Sequence, residues 1–266
     1  MDKKDIFSDE NLQEIKNCLS AERLLAYEKI IAPAPEGLAV FIYQVMQMHS
    51  SLLFVPIQYL EVCLRNRTYN ALKNFYDARK EAITLLGTPG EWYKWMPQKQ
   101  ITKDNISEAC KKAKNQIQNR RPIVYGDIIS RLTLGVWVSI LEERTDNKDP
   151  LFFWSGVVRD IFPNTTYKKG KIMQTLNDIA TIRNRLFHHE PLWKSEKSKT
   201  VSYDIDDILL KMDNTYTTII EVIGWMSTGL QQYILGCLHK TLFDSTADEL
   251  KKTVAMYRFI GEKNTP

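Results

Sequence analysis

The chain has 266 residues, which is enough for one large domain or two small ones, and its hydrophobic content of 44% supports a real core. Its 36 basic and 32 acidic residues give a net charge of +4, which permits nucleic-acid binding without requiring it. The four cysteines are widely spaced, so the sequence indicates neither a disulfide framework nor a zinc site. Because no apolar leader follows Met1 and no run of about 18 apolar residues occurs, we expect a soluble cytoplasmic protein that does not contact a membrane.

The first third of the sequence is patterned for helices. Apolar residues recur at helical spacing along the chain and strand alternation is scarce, which predicts an all-α fold. Residues 9–31 predict two short helices with Ser20 capping the second, and residues 36–49 predict a third. A long helix is expected from about Ser51 to Arg79, with Pro56 either in its first turn or kinking it.

A carboxylate lies on the apolar face of this long helix. Glu61 falls at helical spacing with Ile57 and Leu64, where an apolar side chain would be expected. Two partners remain open for it. A contact with Arg183, which lies on the apolar face of a later helix, would explain both charges. The alternative is a local pair between Glu61 and Arg65 one turn on.

The densest group of basic residues follows in a polar helix predicted over residues 104–119. We term the following five residues the basic cluster: Lys111, Lys112, Lys114, Arg120 and Arg121. Such charge suffices for contacts with phosphates, and it equally suits a solvated helix face. Tyr125-Gly126-Asp127 then predicts the start of a single helix that runs to about Glu143.

The remaining sequence predicts further helices and an exposed connector at residues 194–200. The predicted helices are, in chain order, a short aromatic one at 150–162, a motif helix ending near residue 189, one long helix or two over 203–240, and a last one at 245–260. Gly224 and Gly229 are the expected break points of the long one. We expect the helices of residues 203–260 to pack on the core that precedes them.

The motif helix ends in the stretch Thr181–Trp193, which contains two of the four histidines side by side. Arg183 continues the apolar face of this helix, and a guanidinium there needs a partner or a ligand. At about 100° per residue, Arg183 and His188 lie about 140° apart and on the order of 7–8 Å along the axis, with Asn184 between them. The three side chains therefore line one edge of the helix and are able to converge on one phosphate.

Pro191 sets the expected end of the motif helix. It disfavours helix at Glu190, so the helix should end near His189. The negative end of the helix dipole favours a protonated imidazole, which suits a general acid or base. The structural alternative is a helix stop whose imidazoles cap free carbonyls, with Arg183 in an ion pair.

Residues 183–191, RNRLFHHEP, resemble the RN-x-x-A-HHEP signature of Abi-like (abortive-infection) proteins, which belong to the HEPN superfamily and share an R-x(4–6)-H motif. Three earlier stretches match in order. Residues 19–24 with Tyr27 are similar to LS-x-x-R-x-x-x-Y, residues 60–66 (LEVCLRN) resemble LEV-x-LRN, and residues 132–137 (LTLGVW) resemble LTFGFW, with Phe162-Pro163 matching the FP that follows.

The resemblance covers about residues 19–195 and has departures. Phe187 replaces the usual small residue before the histidines, Leu134 replaces a phenylalanine, and residues 200–266 match no part of the family pattern. The resemblance implies a HEPN-type helical bundle with peripheral helices, spanning residues 1–266 as a single domain.

The resemblance also implies an activity, that of an endoribonuclease that needs no metal or cofactor. His188 would be the acid/base and Arg183 the stabiliser of charge, while Asn184 would orient phosphate or His188, and His189 would be a second proton-transfer group or a structural donor. The basic cluster and Arg185 would bind RNA. Supporting roles would fall to Glu61, Arg65 and Glu190.

Because HEPN proteins pair two motifs and this chain has one, a homodimer is expected. Arg65-Asn66 is followed by no suitably placed histidine, so it is not a second copy of the motif. The family setting implies phage defence by abortive infection, or a toxin–antitoxin system with a protein or small-RNA antitoxin. The alternative is a non-catalytic HEPN module that binds RNA or a partner.

Overall fold

The computed structural model describes residues 8–33, 37–78, 99–118, 120–142, 154–194 and 202–264. Within these ranges every regular element is a helix, which confirms the all-α prediction. The helices are α1 (Asp9–Leu19), α2 (Ala21–Ile31), α3 (Gly37–Ser51), α4 (Phe54–Asp77), α5 (Gln100–Ile117), α6 (Tyr125–Ile129), α7 (Leu134–Glu142), α8 (Trp154–Ile161), α9 (Lys169–Phe187), α10 (Ile205–Met226), α11 (Thr228–Gly236) and α12 (His239–Asn264).

The chain forms two compact units that alternate along the sequence. Unit 1 comprises residues 1–56, 182–217 and 234–266, and unit 2 comprises residues 57–181 and 218–233. Four helices, α4, α9, α10 and α11, contribute residues to both units. The C-terminal helix α12 therefore belongs to the same unit as the N-terminal helices.

Unit 1 is built around packed helices α2, α3 and α12. Ser20 has a φ of 66° and its hydroxyl accepts a hydrogen bond from the backbone N–H of Arg23 at 3.3 Å, so it ends α1 and caps α2 as predicted. Arg258 of α12 donates to the carbonyl of Ile30 at the end of α2. The fully buried side chains of this unit include Tyr27, Ile42, Met46, Trp193, Tyr216, Phe243 and Leu250.

Unit 2 contains α5 packed on α6 and α7. Its buried side chains include Leu60, Leu64, Leu72, Trp137, Ile140, Val157, Phe162 and Leu176. The Thr102 hydroxyl of α5 and the Ser139 hydroxyl of α7 are hydrogen-bonded at 2.8 Å, and Arg67 of α4 donates to the carbonyl of Asp160. The apolar faces predicted from helical spacing thus form the core of this unit.

The single helix predicted from Tyr125 to about Glu143 is wrong, because two helices, α6 and α7, take its place. The reason is a cap supplied from far along the chain. A carboxylate oxygen of Glu61 on α4 accepts a hydrogen bond from the backbone N–H of Leu134, the first residue of α7, at 3.0 Å. A carboxylate satisfies an unpaired N–H there and is favoured by the helix dipole, which explains its place on an apolar helix face.

Of the two alternatives predicted for residues 203–240, the structure shows the broken helix, and the break lies at Ser227, between α10 and α11. The Ser227 hydroxyl accepts a hydrogen bond from the N–H of Leu230 and so caps α11. Gly224 lies inside α10, and a Cβ atom there would approach Gln231 to 2.6 Å. The glycine leaves room for Gln231, which donates to the carbonyl of Ile220.

Residues 37–77 include one 18-residue window with a mean hydropathy of 1.5, which is long and apolar enough to cross a membrane by length and composition alone. The core helices of soluble proteins pass the same test, so this is weak evidence for a membrane span. The cytoplasmic location stays a prediction.

Candidate functional site

The motif helix α9 ends in a Schellman stop made by the His-His-Glu-Pro stretch. His189 has a φ of 56°, in the left-handed region, and its N–H bonds to the carbonyl of Leu186 at 3.2 Å. The N–H of Glu190 bonds to the carbonyl of Arg185 at 2.9 Å. These two bonds and the left-handed residue define the stop, and Pro191 prevents the chain from continuing as helix. The last helical residue is Phe187, two residues before the predicted end, because both histidines belong to the stop.

A salt bridge links the two ends of this stop. The Nε atom of Arg185 lies 3.2 Å from a carboxylate oxygen of Glu190, and the Arg185 side chain is only 16% exposed. Arg185 was predicted to bind RNA and Glu190 to support the site. In the structure Arg185 pairs with Glu190, so both side chains stabilise the turn that presents the histidines.

Residues of the LS-x-x-R-x-x-x-Y stretch, which lie on α2, contact the stop and the tryptophan that follows it. Arg23 donates from Nη1 to the carbonyl of His189 at 2.9 Å. Tyr27, one turn further along α2, packs edge-on against Trp193 with ring centroids 5.3 Å apart. Burial raises the pKa of Tyr27 to about 12, and its hydroxyl accepts a hydrogen bond from Gln47. The LS-x-x-R-x-x-x-Y and HHEP stretches therefore meet in space.

Arg183 is held in place by its neighbours on α9. Its Cζ atom lies 4.1 Å from the centroid of the Phe187 ring, one helical turn away. Its Nη1 atom is 3.5 Å from the Oδ1 atom of Asn184, at the long end for a hydrogen bond. Arg183 is half-buried, and the aromatic ring restricts the conformations of its side chain.

The other candidate catalytic groups are exposed to solvent. Asn184, His188 and His189 are all exposed, and the N–H of His188 bonds to the carbonyl of Asn184 at 3.0 Å. Together with Arg183 they belong to unit 1. The end of α9 thus presents a guanidinium, an amide and two imidazoles within seven residues.

A cavity of about 560 Å³ opens beside this end of the helix. It is lined by Gln47, Met48, Ser51, Phe54, Leu186, Phe187 and His189, and we term it the α3–α9 pocket. The rings of Phe54 and Phe187 lie 5.3 Å apart at an angle of 48°. Phe187, the residue that departs from the family pattern, is 45% exposed and forms a wall of the pocket.

The basic cluster lies in unit 2, at the end of α5 and just beyond it, and all five side chains are exposed. Two of them are paired with acids. Arg121 makes a bidentate contact with Asp127 at 2.7 and 2.6 Å, and the Lys112 ammonium lies 3.8 Å from Glu108. The Arg121 guanidinium, aided by the N–H of Val124, lowers the pKa of Asp127 to about 2.

The predicted supporting residues have structural roles in the described chain. Glu61 caps α7, and the Nε atom of Arg65 donates to the Oδ1 atom of Asn66 at 3.2 Å. The Glu61–Arg183 contact and the Glu61–Arg65 pair stay predictions.

Sequence reasoning did not identify Arg23 as a partner of the histidine stretch, nor the α3–α9 pocket. The signal for Arg23 was its position in a pattern that accompanies the histidines, but a pattern does not say which residues touch.

No known protein family, curated protein or solved structure matches this chain. Among the residues described, no three His, Cys, Asp or Glu side chains group as metal ligands would.

Proposed function

We propose that this protein is an endoribonuclease of HEPN type that cleaves RNA without a metal ion. The observation that carries the proposal is the end of α9, where half-buried Arg183 lies in the last helical turn and exposed His188 belongs to a fixed helix stop. Arg185, Glu190 and Arg23 hold this stop, so the catalytic groups need little reorganisation when RNA binds. The resemblance to Abi-like proteins supports the same activity.

RNA carries its own nucleophile, and this makes a small set of residues sufficient. The 2′-hydroxyl attacks the adjacent phosphorus, the bond from phosphorus to the 5′-oxygen breaks, and a proton moves from the first oxygen to the second. His188 transfers protons at these oxygens. Arg183 binds the phosphate and stabilises the negative charge that develops on it, with Asn184 orienting the phosphate. The products are a 2′,3′-cyclic phosphate and a 5′-hydroxyl.

A homodimer supplies what one motif lacks. Cleavage needs one group to accept a proton and another to donate one. Two motif helices facing each other across a twofold axis would bring a second His188 and a second Arg183 to the same phosphate. We propose that the active protein is such a dimer and that it acts in the cytoplasm, in abortive infection or as a toxin restrained by a protein or small-RNA antitoxin.

The test of this proposal uses purified protein and RNA in buffer containing EDTA. Wild-type protein should cut, and the new ends should resist simple phosphatase until the cyclic phosphate is opened. Arg183→Ala should abolish cleavage. Arg183→Lys should retain part of the wild-type cleavage rate, because lysine keeps the charge and loses bidentate binding. Arg159→Ala, which removes an exposed arginine outside both the basic cluster and α9, is the control. Cleavage that requires Mg²⁺, or that survives Arg183→Ala, would contradict the proposal.

A binding module without catalysis is the second candidate, and the exposed Lys111, Lys114 and Arg120 favour it. Such a module would bind RNA with an affinity that falls steeply with salt, because each phosphate contact releases counterions. Its signature is RNA binding that Lys111→Ala and Arg120→Ala weaken, with no turnover in wild type. Measuring affinity and cleavage on the same RNA separates the two candidates.

A further inference from the structure

We propose that the α3–α9 pocket binds one unpaired base of the RNA next to the cleaved phosphate. This inference rests on the proposed nuclease function and adds a base-binding subsite to it. It starts from the position of Phe187. The ring of Phe187 is at once a wall of the pocket and the surface on which the Arg183 guanidinium lies, at 4.1 Å.

The pocket has the size and the walls of a site for a flat apolar ligand. Its volume of about 560 Å³ is within the range of roughly 300–1,000 Å³ that ligand sites occupy. Phe54, Met48 and Phe187 provide aromatic and thioether surface, and Met48 is 58% exposed. A nucleobase stacks on such surface whatever its sequence, because every base has a π-face.

The position beside Arg183 selects a base over other flat ligands. A base and its phosphate are joined by one ribose, so a nucleotide presents an apolar ring and an anion a short distance apart. Phe187 joins an apolar pocket to a guanidinium in the same way, because its ring lines the pocket and lies 4.1 Å from Arg183 Cζ. A paired base in a duplex is stacked inside the helix and does not enter such a pocket, so the base it binds is unpaired.

The polar groups in the pocket favour recognition by shape over reading of base edges. The Ser51 hydroxyl donates to the carbonyl of Met48 at 2.7 Å, and the Gln47 amide donates to the Tyr27 hydroxyl at 3.1 Å. These hydrogen bonds engage the Ser51 hydroxyl and one N–H of the Gln47 amide, and the other polar side chain of the lining is His189. We therefore expect purines to bind better than pyrimidines, because they stack over a larger area.

The experiment measures RNA binding in a His188→Ala background, which prevents cleavage during the titration. Fluorescence anisotropy with labelled eight-nucleotide strands of oligo(A), oligo(U) and an abasic analogue gives the three affinities. Oligo(A) should bind most tightly. Phe187→Ala should weaken oligo(A) binding roughly tenfold to a hundredfold. It should weaken binding of the abasic strand much less, because there only the hold of the ring on Arg183 is lost. Met48→Ala, at an exposed position, is a second variant that removes a different wall.

Phe259→Ala is the matched control. Phe259 is 54% exposed on α12, and the Lys263 ammonium lies 4.4 Å from its ring centroid, so it is also an exposed phenylalanine with a cation one turn away. Its removal should not change any of the three affinities. Equal affinity of Phe187→Ala, Met48→Ala and the parent protein for oligo(A) would overturn the pocket as a base site.

Cleavage by the wild-type protein is measured in parallel, so that the two proposals fail separately. If wild type cuts RNA and His188→Ala does not, while the pocket variants bind and cut normally, the base site is wrong and the nuclease stands. If no protein cuts RNA, but oligo(A) binding depends on Phe187, the nuclease is wrong and the base site stands.

Discussion

Buried His49 makes the stability of this protein depend on pH in a way that can be worked out from its surroundings. The side chain is fully buried on α3, its ring packs on Phe243 at 4.3 Å, and its Nδ1 atom is 2.7 Å from the Thr246 hydroxyl oxygen. The Nε2 atom has no hydrogen-bond partner within the described part of the chain. A proton added there would be buried without an acceptor, so burial lowers the pKa of His49 from 6.5 to about 4.

The sign of the effect follows from the two states. In the unfolded chain His49 has its ordinary pKa of 6.5, whereas in the folded protein its pKa is about 4. The unfolded state therefore binds the proton first as the pH falls, and the stability present above pH 6.5 is lost between pH 6.5 and 4. The full difference corresponds to about 3 kcal/mol, of which about 2 kcal/mol is lost between pH 7 and 4.5.

His49→Asn removes this dependence and keeps a donor near the Nδ1 position. The variant should be less stable than wild type at pH 7, because it leaves a small cavity beside Phe243. Its free energy of unfolding should nevertheless fall by about 2 kcal/mol less than that of wild type between pH 7 and 4.5. Urea unfolding at both pH values gives the two differences. Other titrating groups, such as His239, whose pKa burial also lowers, are common to both proteins and cancel.

If wild type and His49→Asn lose the same free energy between pH 7 and 4.5, then His49 is not buried in its neutral form and the packing of α3 on α12 is wrong.

Two further predictions concern the helix ends. His189→Gly should raise the free energy of unfolding by about 0.5–1 kcal/mol, because glycine adopts the positive φ of the stop without strain. If His189 is structural, the variant should also retain RNA cleavage. A loss of stability in urea unfolding, or a loss of cleavage, would count against this. Glu61→Ala should lower the free energy of unfolding by about 1 kcal/mol through loss of the cap on Leu134, and hydrogen exchange in the first turn of α7 should rise. Unchanged exchange there would contradict the cap.

Local patterns were enough to predict most helices and the approximate end of α9. Pro56 falls in the first turn of α4, Ser20 caps α2, and the chain leaves the helix just before Pro191, and each of these depends on residues within four positions. Helical spacing also indicated which faces are buried, because the helices of a globular protein must cover their apolar side.

Interactions between distant residues could not be predicted. The cap of Glu61 on Leu134 joins residues 73 positions apart, and it accounts both for the break before α7 and for the carboxylate on an apolar face. In the same way, the bond from Arg23 to His189 spans 166 positions. At the site, the sequence predicted an RNA contact for Arg185, but a single sequence does not show that Glu190 turns back to meet its guanidinium.

The rate of RNA cleavage in EDTA by wild type and by His188→Ala is the most direct test of the central claim. General acid or base catalysis contributes about 10²- to 10⁴-fold, so the variant should cut at least a hundredfold more slowly while unfolding at the same urea concentration as wild type. Rates within twofold of each other, in two equally stable proteins, would show that the end of α9 is not a nuclease site.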